Sequence, residues 1–459
     1  MQLPHVLITG ASGFVGGHVA RALLARGCRV TAAGRRPVAD TRIGFVAADF
    51  ATDADASAWL PRLADVDVVI NTVGIIRERG GQRFAQLHTA TPRALFAACA
   101  AAGVQRVIQL SALGADDQAS TAYHLSKKAA DDFLATLPLQ AVIVQPSLIF
   151  GPGGGSAELF KTLAVLPLGL RFGSAPQLVQ PIHIDDVTDA LVRLATEPAA
   201  PAPKAPPAMP QEARPPAQPR RRPAAQSGAR RIALAGPQAM PLQAYLAALR
   251  QALGLGRQRV LALPDAAARA FAWLGSVLPG LPMDRDALRM LDRGNTADPA
   301  ATAACAALLG RPPRPVADFI APAHRRAERM QAQLNWLLPL LRVSIATVWI
   351  ATAWVSALVY PAAESYRLLE RTGVPAALAP LMLYGAAGLD LLLGVATLAL
   401  PRARRGPLWL AQLALIAFYS LLIAWRLPEF LAHPYGPLTK NLPMLAAIWL
   451  LYELEKGKR

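Results

Sequence analysis

Over residues 1 to about 197, short β-branched apolar runs alternate with Ala- and Leu-rich stretches of helical period. HVLITG, CRVTAAG, IGFVAAD, VDVVINT, QRVIQLS and QAVIVQPS read as strands, with helices such as GGHVARALLARG and TPRALFAACAAAG between them. Strands that are apolar on both faces and alternate with helices predict an α/β Rossmann fold, a doubly wound parallel sheet. The pattern stops in PAAPAPKAPPAMPQEARPPAQPRRRPAAQSGARR, residues 198–231, whose ten prolines with Ala and Arg cannot build a packed core. It resumes with IALAGPQAMPLQAYLAALRQALG, a strand and then a helix. The Pro-rich stretch is therefore an insertion into one domain, and residues 232–322 complete a small substrate-binding lobe.

Beyond residue 330 the periodicity gives way to apolar spans, predicting an all-α four-helix transmembrane bundle over 334–455. Val343 to Tyr360 carries no charge, APLMLYGAAGLDLLLGVATLAL only Asp390, and Pro407 to Trp425 none. The fourth span, LPMLAAIWLLY, is eleven residues long and crosses only if Lys440 and Glu453 snorkel. Three basic clusters favour counting it: Arg325, Arg326 and Arg329; Arg402, Arg404 and Arg405; Lys456, Lys458 and Arg459. With four spans all three fall on one side, which is then the cytoplasm. This predicts a multi-pass protein of the inner (cytoplasmic) membrane, with its N-terminal domain and C-terminus in the cytoplasm. Asp390 and Arg342 sit at similar depth on this count, and a buried ion pair between them is expected. The alternative is a quinone or proton site.

Composition changes the picture in three places. The length of 459 residues suits two to three domains, and the apolar fraction of 53% is concentrated in the spans. The net charge of +17 lies largely in the insertion and beside the spans, which points to lipid and topology rather than nucleic acid. Cys28, Cys99 and Cys305 are far apart with no CxxC, so neither a disulfide framework nor a metal site is expected. The opening MQLPHVLITGASG runs directly into a strand, with no signal peptide.

The candidate chemistry begins at TGASGFVGGHVARALL. Gly10 permits a tight turn, Gly13 lets backbone N–H groups approach a pyrophosphate, and Gly16 allows close helix–strand packing. With Thr9, Ser12 and Phe14 they make up the expected dinucleotide-binding turn. The second strand ends in Arg35 and Arg36, where a carboxylate would receive the ribose 2′-OH of NAD. Guanidinium there suits a 2′-phosphate, so NADP(H) is favoured over NAD(H). The plain alternative is two solvated loop arginines. Asp49 and Phe50 follow the third strand and suit an adenine contact, while Thr72 and Gly74 of NTVG pass close to the cofactor ribose.

In YHLSK, Tyr123 and Lys127 lie four apart on one helix face. An ammonium beside a phenol stabilises phenolate, so Lys127 is expected to lower the pKa of Tyr123 and make it an acid/base catalyst. Ser111, at the carboxyl end of the fifth strand, is placed to orient a substrate carbonyl or alcohol.

TGxxGFxG, the strand-end Ser, YxxxK, QPSLIFGPG and HIDDV together resemble an extended or atypical short-chain dehydrogenase/reductase, close to the NAD-dependent epimerase/dehydratases. AGVQRVIQLSALGAD and STAYHLSKKAADDFL are similar to the branch containing the NADPH-binding accessory subunit of respiratory complex I. The resemblance implies that Pro146 and Ser147 line the nicotinamide pocket, and that His88 replaces an Asn of the family's proton relay. His183 of PIHIDDV is expected to be structural, with Asp185 and Asp186 capping the next helix. GLDLLLGVATLAL and PYGPLTKNLPMLAAIWLLYELE resemble the DoxX-like membrane family. The reading is a membrane-anchored oxidoreductase acting on a small carbonyl or alcohol substrate. An NADPH-binding accessory or assembly subunit of a membrane complex is the alternative, with a quinone or such a complex as partner. A sugar-nucleotide epimerase is a third, against which Arg35 and Arg36 weigh.

Overall fold

In the computed structural model the described residues are 3–172, 177–197, 229–277, 285–432, 434, 436 and 438–456. Most of the Pro-rich insertion, 198–228, lies outside them. The chain divides into two compact units, 1–329 and 330–459.

The first unit is built on seven parallel strands: β1 His5–Thr9, β2 Arg29–Gly34, β3 Gly44–Ala47, β4 Val68–Asn71, β5 Arg106–Leu110, β6 Gln140–Pro146 and β7 Arg230–Leu234. Their order is β7-β6-β5-β4-β1-β2-β3, so the winding reverses between β1 and β4. At such a reversal the crossovers leave to opposite sides and open a crevice at the carboxyl ends. β1, β4 and β5 are buried at every position, which explains their apolar runs. Two cores form on the two sheet faces. One packs α1 (Phe14–Ala25) and a second helix, Ile184–Thr196, against Val6, Ile8 and Ile108; the other packs Leu95, Phe96 and Trp59 against Leu7, Val69 and Val107. β7 pairs with β6 in parallel register, Ile232 opposite Val144, so the chain after the insertion rejoins the same sheet.

Around the sheet edge, the pairs 149–150 with 182–183, 178–179 with 240–241, and 168–172 with 259–263 form small ribbons, and a helix Leu242–Ala252 follows.

The second unit contains the helices Ala379–Ala399, Arg405–Arg426 and Asn441–Glu455, together with most of Arg325–Trp354. Trp349, Trp409, Leu393, Ile416 and Ile448 share one core. Among the described residues three helices are long and apolar enough to cross a membrane: those within 322–359, 376–399 and 402–426. The helix over the expected fourth span has 15 residues, about 22 Å against a hydrocarbon core of about 30 Å.

The expected Asp390–Arg342 pair does not form. Arg342 Nε lies 4.0 Å from Glu455, whose carboxylate also meets Arg405 Nη1 at 3.2 Å and accepts from Trp409 Nε1 at 3.0 Å. Arg405 Nε donates to Leu400 O, so this cluster stands at the level of Leu400, ten residues or about 15 Å along the helix from Asp390. Depth therefore separates the two, and Asp390 Oδ1 has no hydrogen-bond partner among the described residues.

Candidate active site

The turn after β1 is shaped by what it cannot hold. Gly10 adopts φ +76°, the left-handed region that disfavours a side chain. A Cβ on Gly16 would sit 2.3 Å from Gly10 O and 2.6 Å from Thr72 Oγ1. Gly13 is the N-cap of α1, whose first turn contains no acidic residue, so its N–H groups and positive dipole end face the crevice without a competing carboxylate. That cradle fits a pyrophosphate. The strands below are fixed by a buried chain of polar groups: Thr9 Oγ1 donates to Asn71 Oδ1 at 2.6 Å and Asn71 Nδ2 to Gln109 Oε1 at 2.7 Å. Thr72 Oγ1 donates to Thr9 O at 2.7 Å.

Ser12 is exposed on the turn, and Phe14 packs edge-on to His18. Arg35 and Arg36 are both exposed just past β2. Asp49 accepts from Ala51 N at 2.9 Å, but the Phe50 ring is 7% exposed and packs edge-on to Trp59. Phe50 thus serves the core. Pro146 ends β6 and is buried; the Ser147 hydroxyl donates to Gln180 O at 2.5 Å and is held in the lobe's scaffold.

Tyr123 and Lys127 lie on α2 (Ala122–Ala135), which opens with Thr121 as N-cap accepting from His124 N. Lys127 is 4% exposed; its Nζ donates to Leu110 O at 2.9 Å and reaches Val73 O at 3.5 Å. A Cβ on Gly74 would come within 3.1 Å of that Nζ, so the glycine makes room for the ammonium between β4 and β5. The Tyr123 ring is framed by Phe84, His88 and His124 at centroid distances of 6.0, 5.6 and 5.2 Å.

His88 sits in a π-helical turn, Ala85–Ala90. The Ile75 N–H donates to its Nε2 at 3.0 Å, so the ring proton is on Nδ1, which donates to Ser126 Oγ at 3.0 Å. Ser126 in turn donates to Tyr123 O at 2.8 Å. Burial, reinforced by the Lys127 charge, pushes His88 down to about 3, so it is a neutral, fully engaged imidazole.

One contact is added here and one expectation changes. Ser111 is 4% exposed and its hydroxyl donates to Asp131 Oδ2, one helical turn beyond Lys127. A buried carboxylate needs donors, and Ser111 supplies one, a contact the sequence did not suggest. Burial also raises the Tyr123 phenol to about 12, with the Asp131 charge adding to the rise. Desolvation outweighs the expected help from Lys127, itself lowered to about 8 by burial against the pull of Asp131. Asp131 is the residue that sequence reasoning missed. It is fully buried, Arg231 of β7 stands 4.0 Å from its Oδ2, and burial raises it to about 7 against Ser111, Lys127 and Arg231. The signal was available: Tyr123, Lys127 and Asp131 recur at four-residue intervals on one helix face.

His183 caps the helix Ile184–Thr196 and also lines the pocket beside it. Its Nδ1 accepts from Asp185 N at 3.2 Å, so the histidine itself is the N-cap. Asp185 and Asp186 do not cap the helix with their side chains; they hold the 311–314 segment, Asp186 meeting Arg311 at 2.6 Å and accepting from Arg314 N at 2.8 Å. A pocket of ≈240 Å³ beside it is lined by His18, Phe150, Lys161, Arg314 and Phe319 among others. No metal-ligand cluster exists among the described residues.

Residues 6–205 match the NAD dependent epimerase/dehydratase family and residues 346–449 the DoxX-like family. Over 204 residues the chain is 34% identical to the ceramide reductase of Caulobacter vibrioides, covering 42% of this chain and 61% of that protein. It is 28% identical to NADH dehydrogenase [ubiquinone] 1 alpha subcomplex subunit 9, mitochondrial, of Mus musculus, covering 42% of this chain and 53% of the relative. The chain thus spans less than two thirds of both relatives. Among solved structures, the NADPH-dependent quinone oxidoreductase of Escherichia coli complexed with NADPH superposes with a TM-score of 0.50 at 19% identity, over 68% of this chain and 97% of the other. The shared fold, the glycine cradle and the two matches agree: the chain joins an NAD(P)-binding Rossmann domain of the epimerase/dehydratase, short-chain-dehydrogenase-like type to a C-terminal DoxX-like membrane domain.

Proposed function

We propose that the protein is a membrane-anchored, NADP(H)-dependent reductase of a carbonyl substrate. The observation that carries this reading is that Tyr123 and the buried Lys127, whose ammonium donates to Leu110 O at the end of β5, share one face of α2. When bound, the nicotinamide supplies the hydride. Lys127 keeps a third N–H for a ribose hydroxyl, and Tyr123 gives its proton to the carbonyl oxygen. A phenol held near 12 keeps its proton at neutral pH, the form in which it can donate to a carbonyl oxygen. The exposed arginines after β2 support NADPH as the reductant. The ceramide reductase relative supports reduction as the reaction class. The soluble unit is assigned to the cytoplasmic side on the distribution of arginines.

One observation favours a second reading, an NADPH-holding accessory subunit of a membrane complex: Ser111 is engaged with Asp131, leaving Tyr123 without a second hydroxyl for substrate. Purified full-length protein loaded with NADPH and offered quinones, long-chain ketones and aldehydes separates the two. Loss of NADPH absorbance that requires Tyr123 supports the reductase; tight binding with no oxidation by any of them supports the accessory subunit.

A further inference from the structure

Parallel strands occur almost only where both sheet faces are covered. The ribbon of residues 168–172 and 259–263 is parallel and departs from that rule. Leu168 pairs with Arg259 and Leu170 with Leu261, and directly paired residues share a face. Leu168, Leu170 and Leu261 therefore make one apolar row, at 46%, 37% and 50% exposed. Gly169, on the opposite face, is buried, and a Cβ there would strike the Gln258 side chain at 2.8 Å. Val260, paired with Gly169, is itself 48% exposed, so both faces of the ribbon show apolar side chains and the leucine row is the longer of the two.

The row is held rigidly. Gln258 Nε2 donates to Leu166 O at 2.7 Å and Leu163 O at 3.2 Å, and Gln243 Nε2 to Leu170 O at 3.2 Å. Beyond Pro264 the chain enters a helix, Asp265–Val277, on which Trp273 is 51% exposed. Arg259 is exposed within the leucine row, Arg257 just before it and Arg269 on the helix are exposed too, and Arg171 is exposed on the Gly169 face. Leucine and tryptophan with arginines beside them match the chemistry of a bilayer interface, apolar chains below and anionic headgroups at the rim. The same chain carries three helices suited to crossing a bilayer, so lipid is always at high local concentration.

We propose that this ribbon face rests on the membrane that the chain spans, with its leucines at the acyl boundary and its arginines on anionic headgroups. The proposal stands apart from catalysis and survives the failure of the reductase reading.

The test uses full-length protein in vesicles of phosphatidylethanolamine with phosphatidylglycerol, and in vesicles of phosphatidylcholine alone. Cys28, Cys99 and Cys305 are buried, so a fluorophore on Leu261→Cys reports this face. Doxyl-labelled lipid should quench it roughly twofold more than a fluorophore on Leu60→Cys, an isolated leucine 42% exposed. Arg257→Glu with Arg259→Glu should reduce that quenching in the anionic vesicles. Equal quenching at both positions overturns the proposal, as does cross-linking of Leu261→Cys between two copies, which would put a second chain on the face. Undiminished quenching in phosphatidylcholine overturns the headgroup contact.

Discussion

The glycine turn and the Tyr123 pocket occupy neighbouring strand ends but are determined by different physics. The turn is backbone: its geometry follows from φ +76° at Gly10 and from the 2.3 Å gap that leaves no room for a Cβ on Gly16. The pocket is side chain and charge: Tyr123, Lys127, Asp131 and His88 are all displaced from their ordinary titration by burial. Sterics decide whether a nucleotide can approach; desolvation decides what a bound one could do. A substitution in either place should therefore leave a recognisable signature, and exchanging those signatures would break the distinction.

The largest effect is expected in the pocket. Tyr123→Phe should lower the rate of NADPH oxidation by about 10²- to 10⁴-fold, the range for a lost proton donor, with NADPH affinity nearly unchanged. Single-turnover absorbance and a fluorescence titration read the two quantities; a matched loss of affinity would make Tyr123 part of the binding surface. Gly16→Val should do the reverse. The forced backbone shift costs about 1–3 kcal/mol, or about 5- to 150-fold in NADPH affinity, and thermal unfolding should show the same strain. Retained affinity would mean that the turn does not carry the pyrophosphate.

A smaller effect sharpens the electrostatic side. Asp131 holds up the pKa of Lys127, so Asp131→Asn should let it fall further below about 8. A lysine loses its charge as pH rises, so the alkaline limb of NADPH binding should move to lower pH, by roughly 1 unit. Asp131→Glu should restore it. An unmoved limb would leave Asp131 as packing for Ser111 alone. The smallest change belongs to Arg35→Ala: an exposed guanidinium screened by water should account for about 1 kcal/mol of preference for NADPH over NADH, shrinking with added salt. Equal affinities in the unaltered protein would remove the arginines from cofactor choice.

The turn was legible in the sequence because three glycines at fixed spacing after a strand have one geometric use. Sheet class was legible for a similar reason: β1, β4 and β5 are buried throughout, and a strand with no solvent face cannot alternate. The pocket was only half legible. The Tyr123–Lys127 spacing placed both on one face, but the sign of the phenol shift depends on how much protein surrounds it, which no local pattern records. The Ser111–Asp131 contact was not legible because the two lie 20 residues apart on different elements. Arg342 was matched to Asp390 by counting along spans, whereas its neighbour Glu455 comes from the far end of the unit.

One consequence follows from the position of β7. Strands β1 to β6 are complete by Pro146, but the strand beside β6 begins at Arg230, after the Pro-rich insertion. During synthesis at about 5–20 residues per second, Asp131 spends several seconds without Arg231 beside it. Throughout that interval the nascent domain carries an open β6 edge and a carboxyl facing no guanidinium. About a third of the residues made between Asp131 and Arg231 belong to the insertion, so the neighbourhood of Lys127 is completed well after the glycine cradle.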